Sequence, residues 1–371
     1  MPTNEMKHIP VMTGIRFIAA LMIFLFHYGG GLNDPGSLYR QLFLGVHVFF
    51  VLSGFIICYT YYDQVTLSRK FLGSYFVKRF ARIYPLFFVL TTLTFIVIFK
   101  NYAESSTWLT EYLLNISFLK GFSENYFLSG IGPTWSLTVE ETFYFLAPFI
   151  FFVISNKKIL FPQILFLWAV GALLVVIFSS APFDGFFADA QFVAFVTFFG
   201  RCFEFYCGIW LALRLKEAKG FQGLKTNWRF PIFTVVGLAG MIAIIFLLAL
   251  VGSYYSQPSV ETLPGILLSN ILFPVAVTVF FMGLLIEQTW VNRFLQSPLM
   301  QLLGKSSYAL FLVHTGIIAV AIQKNISNNI IVLFVLLQLL SILLFKGFEF
   351  PVNRWIRKKF LSSSNEQRRS S

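Results

Sequence analysis

The stretch Pro231-Ile-Phe-Thr-Val-Val-Gly-Leu-Ala-Gly-Met-Ile-Ala-Ile-Ile-Phe-Leu-Leu-Ala-Leu-Val-Gly252 carries no charged residue. A bilayer core of about 30 Å is crossed by roughly 20 helical residues, so this segment alone is long and apolar enough to span one. Similar stretches recur along the chain, and spans are predicted at about 12–29, 42–62, 80–99, 134–154, 159–178, 190–213, 231–252, 264–286, 304–323 and 330–350. Of the 371 residues 57% are hydrophobic and 12% charged, and mean hydropathy is +0.76. Soluble domains carry about 25% charged residues, which excludes a soluble globular fold. The predicted class is an all-α polytopic membrane protein with about ten transmembrane helices.

Ten spans leave both termini on one side, and the basic residues say which. The segments that share a side with the termini hold Arg69, Lys70, Lys78, Arg79, Arg82, Lys157, Lys158, Arg214, Lys216, Lys219, Lys225, Arg229, Arg354, Arg357, Lys358 and Lys359. The opposite side holds only Arg40, Lys100, Lys120 and Lys324, together with acids such as Asp184 and Asp189. By the positive-inside rule both termini are cytoplasmic. The net charge of +12 therefore reads as topology and not as nucleic-acid binding. Cys58, Cys202 and Cys207 lie within apolar segments and form no metal or disulfide pattern. The first apolar run has no small-residue cleavage site and is expected to stay as a helix. One membrane domain is expected over 8–358, followed by a basic, structureless cytoplasmic tail over 359–371 and no second soluble domain.

Charges singled out inside predicted spans are Arg16, Arg201, Lys346, Glu140, Glu141, Glu204 and Glu349, joined by His27, His47 and His314. Each intramembrane charge costs at least about 2.5–3.5 kcal/mol, so these residues are the first candidates for a site. Lys346 and Glu349, near the inner end of the last span, can equally snorkel or pair structurally. Arg16 and His27 are eleven residues apart, roughly 16 Å along a helix and close to three turns, so they share a face. A fixed cation below a titratable imidazole suits a long substrate with an anionic head. Glu140 and Glu141 are placed at a depth like that of His27, where one carboxylate would orient the ring. Thr134 or Ser136 could cap that helix. Arg201 and Glu204, at i and i+3, either pair with each other or line a channel in which Arg201 meets an anionic donor. Lys78, Arg79 and Arg82 serve topology or hold phosphate.

Several motifs in this order resemble the family-3 transmembrane acyltransferases. They are Gly14-Ile-Arg16 with His27 beyond it, Gly45-Val-His-Val-Phe-Phe-Val-Leu-Ser-Gly-Phe55, Lys78-Arg-Phe-Ala-Arg-Ile-Tyr-Pro85 and Trp135-Ser-Leu-Thr-Val-Glu140. Arg201-Cys-Phe-Glu-Phe205, Gly304-Lys-Ser-Ser-Tyr-Ala-Leu-Phe-Leu-Val-His314 and Glu349-Phe-Pro351 complete the set. The resemblance implies transfer of an acyl group, usually acetyl from acetyl-CoA, to a hydroxyl of a glycan or related acceptor, in the inner membrane of a bacterium. No permanently bound cofactor is implied. It makes Arg16 and His27 the residues on which activity depends and marks Trp135, Ser136, Glu140 and Glu141 as part of the site. His47 stands where many members carry Asp, and His314 matches the family's final histidine, read here as a buried ring bonded to a neighbour.

The expected mechanism has His27 as general base or as a transiently acylated nucleophile, with Glu140 or Glu141 holding its ring. Arg16, Arg79, Arg82 and Arg201 would bind donor phosphates, while Trp135, Ser136 and His47 would border the substrates. The competing class is a multi-span transporter of an acyl group, glycan or ion, which would also need buried charges.

Overall fold

The computed structural model describes residues 9–102, 107–157, 159–179, 185–218 and 230–366. Among them the only β pairing is one isolated antiparallel bridge between Ser123 and Phe186. The chain is otherwise a bundle of helices. The first three are α1 (Pro10–Tyr28), α2 (Gly45–Tyr61) and α3 (Arg69–Tyr102), followed by a short α4 (Trp108–Ile116). Then come α5 (Trp135–Lys157), α6 (Phe161–Ser179), and α7 (Ala190–Val196), which breaks at Thr197 into α8 (Phe198–Glu217). Next are α9 (Ile232–Tyr255) and α10 (Leu263–Leu267), which passes through a π-helical stretch into α11 (Phe273–Ile286). The chain continues with α12 (Trp290–Leu295), α13 (Pro298–Val313), α14 (Ile317–Asn325), α15 (Ile330–Leu344) and α16 (Phe350–Glu366).

Nine helical segments among the described residues are long and apolar enough to cross a membrane, and α13 with α14 makes a tenth if counted as one broken span. Four of the expected features are corrected. The span expected at 304–323 is not straight, because α13 and α14 meet at 86°. The chain turns there through Gly316 at φ +79°, a conformation glycine adopts without steric cost. The third span is far longer than 80–99: α3 has 34 residues, about 51 Å, so Lys78 and Arg79, just before the expected span, lie on the same helix as Arg82. Helix α16 continues to Glu366 where a structureless tail was expected, and 367–371 lie outside the described residues, as do Lys158, Asp184, Lys219, Lys225 and Arg229. The hydroxyls of Thr134 and Ser136 do not cap α5 but donate to the carbonyl oxygens of Ile131 and Pro133.

Helices α2 and α8 form the centre of the bundle, and α6 stands at its rim. Their backbones touch because both carry glycine at the crossing: a Cβ on Gly54 would lie 2.1 Å from the Phe205 carbonyl oxygen, and one on Gly208 2.0 Å from that of Val51. Small residues of this kind let membrane helices pack closely where no hydrophobic force drives them together. Around this centre pack α1 against α13 and α9 against α11. Apolar side chains such as Phe166, Leu173 and Val176 on α6 face outward, as expected for a surface in contact with lipid.

The segment between α4 and α5 is anchored by a buried lysine. Lys120 Nζ donates to the carbonyl oxygens of Ser129 (2.7 Å), Ile131 (2.9 Å) and Gly132 (3.4 Å), which satisfies backbone groups that would otherwise be orphaned.

Candidate active site

A cavity of about 420 Å³ opens among α1, α2, α3, α5, α13 and the π-helical turn Phe345–Glu349 before α16. Four cations line it: Arg16, Arg79, Arg82 and Lys305. Two carboxylates, Glu140 and Glu349, join them. The sequence brings these charges together by helical periodicity. Arg79 and Arg82 are three apart on α3, Met12 and Thr13 are four and three before Arg16 on α1, and Glu140 and Tyr144 are four apart on α5, so each group presents a common face.

The acidic side of the cavity is built around Glu140. Ser53 Oγ on α2 donates to Glu140 Oε1 at 2.5 Å, and the Tyr144 hydroxyl donates to the same oxygen. Tyr144 in turn accepts from Tyr75 at its main-chain oxygen, 2.9 Å away. Arg79 is clamped beside this group, its Nη2 donating to the Tyr61 hydroxyl at 3.2 Å. Its guanidinium lies 5.4 Å from the Tyr61 ring centre and 5.7 Å from that of Tyr144, a cation–π arrangement. The Nε atoms of Arg16 and Arg79 and one oxygen of Glu349 are buried without a hydrogen-bond partner among the described residues. Polar atoms left open in this way in a charged cavity fit a ligand that completes them.

Of the predicted residues, Arg16, Arg79, Arg82, Ser136 and Glu140 share this cavity; His27, His47, Arg201, Trp135 and Glu141 do not line it. Two further groups hold most of the others. His27, near the far end of α1, meets His314: the ring centres are 4.9 Å apart and Nε2 of His314 lies 3.3 Å from Nδ1 of His27. The expectation that Glu140 or Glu141 holds His27 is therefore corrected. Glu140 is turned to Ser53 and Tyr144 and shares the cavity with Arg16. Glu141 is neither hydrogen-bonded to His27 nor part of the cavity.

The other group surrounds Glu204. Arg201 holds it with Nε–Oε1 at 2.5 Å and Nη2–Oε2 at 3.2 Å, the pairing that the i, i+3 spacing allows. His47 Nε2 is 3.8 Å from the same Oε1. The carboxylate missing from α2 is thus present on α8, opposite the histidine that replaces it. Arg201 also donates to the Phe195 carbonyl oxygen at 3.0 Å and lies over the rings of Phe195 and Phe50. Trp135 packs on Phe195, and Phe50 separates Arg201 from the cavity. As a donor-phosphate residue Arg201 is corrected: it is fully buried, neutralised by Glu204, and screened by that ring.

Sequence reasoning missed Ser53, Tyr144, Lys305 and Tyr308, all at the cavity, and left Glu349 undecided. Tyr144 was within reach, four residues beyond Glu140. Ser53 was not, since only the α2–α5 contact joins it to a carboxylate 87 positions away.

A polytopic helical membrane protein with a charged cavity and an imidazole pair whose one ring is buried has the parts of a group-transfer enzyme. The sequence profile of a family described as an acyltransferase domain matches residues 9–346, and the chain belongs to that family. It is 25% identical over 342 residues to a Staphylococcus aureus strain COL protein provisionally named as an O-acetyltransferase, covering 85% of this chain and 52% of that one. It is 24% identical over 356 residues to the O-acetyltransferase OatA of Staphylococcus aureus strain NCTC 8325, covering 90% and 54%. The chain thus spans about half the length of these curated relatives. No solved structure matches it.

Proposed function

We propose that the protein takes an acetyl group from acetyl-CoA on the inner side of a bacterial inner membrane and delivers it to a hydroxyl of a cell-surface glycan. The observation that carries this reading is the cavity with four cations against two carboxylates. A CoA thioester is a polyanion on a flexible arm, and guanidinium groups in a partly desolvated cavity suit its phosphates. Arg82 and Lys305 would hold the phosphates, with Arg79 and Arg16 deeper along the arm. Phe311 lines the cavity, and its ring and carbonyl oxygen also contact His314, so the thioester end would approach the histidine pair past this ring.

At the reacting centre His27 would accept the acceptor's hydroxyl proton as the oxygen attacks the thioester carbonyl. The new C–O bond forms, the C–S bond breaks, and the proton passes to the departing CoA thiolate. A transient acyl-imidazole on His27 would split the same transfer in two.

The test is transfer of radiolabelled acetyl from acetyl-CoA to surface polysaccharide in membranes carrying the wild type, His27→Ala or Arg16→Ala. Loss of labelled ester in both variants, at wild-type protein levels, supports the proposal. Undiminished labelling with His27→Ala sinks it, and transbilayer movement of label with no ester formed would favour transport.

A further inference from the structure

We infer that His314 is a positioning residue that fixes which nitrogen of His27 acts as the base. The inference rests on the reading of His27 as the proton acceptor and adds the atom at which the proton moves.

The argument uses two carbonyl oxygens. A carbonyl oxygen has no proton to give, so an imidazole nitrogen at hydrogen-bond distance from one must carry the proton itself. Nδ1 of His314 lies 2.7 Å from the Phe311 carbonyl oxygen, and Nδ1 of His27 lies 2.9 Å from that of Ile23. In a neutral ring the other nitrogen then has only a lone pair. His314 Nε2 is such an acceptor, and it faces His27 Nδ1 at 3.3 Å. The Nδ1 proton of His27 is thus shared between the Ile23 oxygen and the His314 lone pair, and the lone pair of His27 is confined to Nε2.

The fold holds this arrangement from both sides. His314 is buried and ends α13 just before the 86° bend. The Tyr28 hydroxyl, one residue past His27, donates to the His314 carbonyl oxygen at 2.7 Å, tying the end of α1 to that bend. Two effects follow. His27 is held in the tautomer that keeps Nε2 free, and when Nε2 gains a proton the Nδ1–H bond to His314 becomes charge-assisted and strengthens. No carboxylate is needed for either effect. A neutral partner of this kind stabilises the imidazolium less than an anion would, and leaves His27 uncharged before the reaction.

The test uses the full chain labelled with 15N-histidine in liposomes. Of its 4 histidines, His8, His47 and the functional pair are assigned by single substitution. The expected spectrum has His27 protonated at Nδ1 and bare at Nε2, and His314 likewise. A protonated Nε2 on either ring overturns the inference without recourse to any variant. Kinetically, His314→Phe lowers kcat about 10- to 100-fold, within the ~10²–10⁴-fold that general base catalysis supplies in all, with KM for acetyl-CoA unchanged. His314→Gln, whose side-chain oxygen can accept from Nδ1, recovers part of the loss. Equal losses in the two variants, with His27 signals as in the wild type, also overturn it. A wild-type chain that transfers no acetyl would defeat the function proposed above, while the nitrogen signals would still decide the tautomer.

Discussion

Ser53 and Glu140, 87 positions apart in sequence, meet at 2.5 Å across α2 and α5 inside a cavity otherwise dominated by cations. Glu140→Gln keeps the shape of that contact and removes its charge. Acetyl transfer is expected to fall about 100-fold, the lower range for a group in acid–base work, with the protein still folded. Glu141→Gln, on the next residue and outside the cavity, is expected to stay close to wild type. Comparing the two rates in membranes at matched protein levels decides the point, and equal effects would argue against a special role for Glu140.

Arg79 and Arg82 line the cavity, three residues apart on α3. Replacing either with Ala is expected to weaken CoA binding about tenfold, or ~1.4 kcal/mol, and to reduce its sensitivity to salt. Calorimetry with CoA on purified protein measures both. Unchanged affinity in both variants would place the donor elsewhere.

Glu204 is fully buried between Arg201 and His47. Glu204→Gln strands a guanidinium in the protein interior, which costs about 3–5 kcal/mol, and should lower the unfolding temperature markedly. The double variant Arg201→Gln with Glu204→Gln is expected to lose less than the sum of the single losses, since the pair acts as a unit. Additive losses in thermal unfolding would contradict a coupled pair.

Gly54 and Gly208 sit where α2 and α8 touch backbone to backbone. A side chain at either position must push the two central helices apart, so Gly54→Val should reduce folded yield severely. Gly73, with open space around it, is the control: Gly73→Ala should be harmless or slightly stabilising in this helix. Size-exclusion profiles of the two variants provide the comparison.

The membrane spans were legible because hydrocarbon enforces length and apolarity on every crossing segment, as in 231–252. Arg16 and Glu140 were legible because charge inside a span is costly and needs a purpose, and Arg79 and Arg82 as members of a basic cluster that could hold phosphate. The partners were not. Glu140 bonds Ser53 and Tyr144 and shares its cavity with Arg16, not with His27, a choice of partner that depth along one helix could not decide. The exchange of His47 for an acid became intelligible only once Glu204, 157 residues away by number, was seen across from it. Pairings between distant helices leave no periodic trace in either one.

Between α15 and α16 the chain takes one π-helical turn over Phe345–Glu349, ending on the carboxylate that faces the cavity while Lys346 points outward. A π turn is an α-helix with one residue too many, and the bulge absorbs that surplus so that the helix beyond keeps its phase. Removing a single codon here would restore the regular helix and leave α16 facing much as it does, because five π residues turn about as far as four α residues, but it would close the bulge beside Glu349. Substitutions at the exposed positions of this turn should be easily borne in natural variation, whereas a one-residue deletion should not. The gene's tolerance at this point is therefore set by the count of residues more than by their kind.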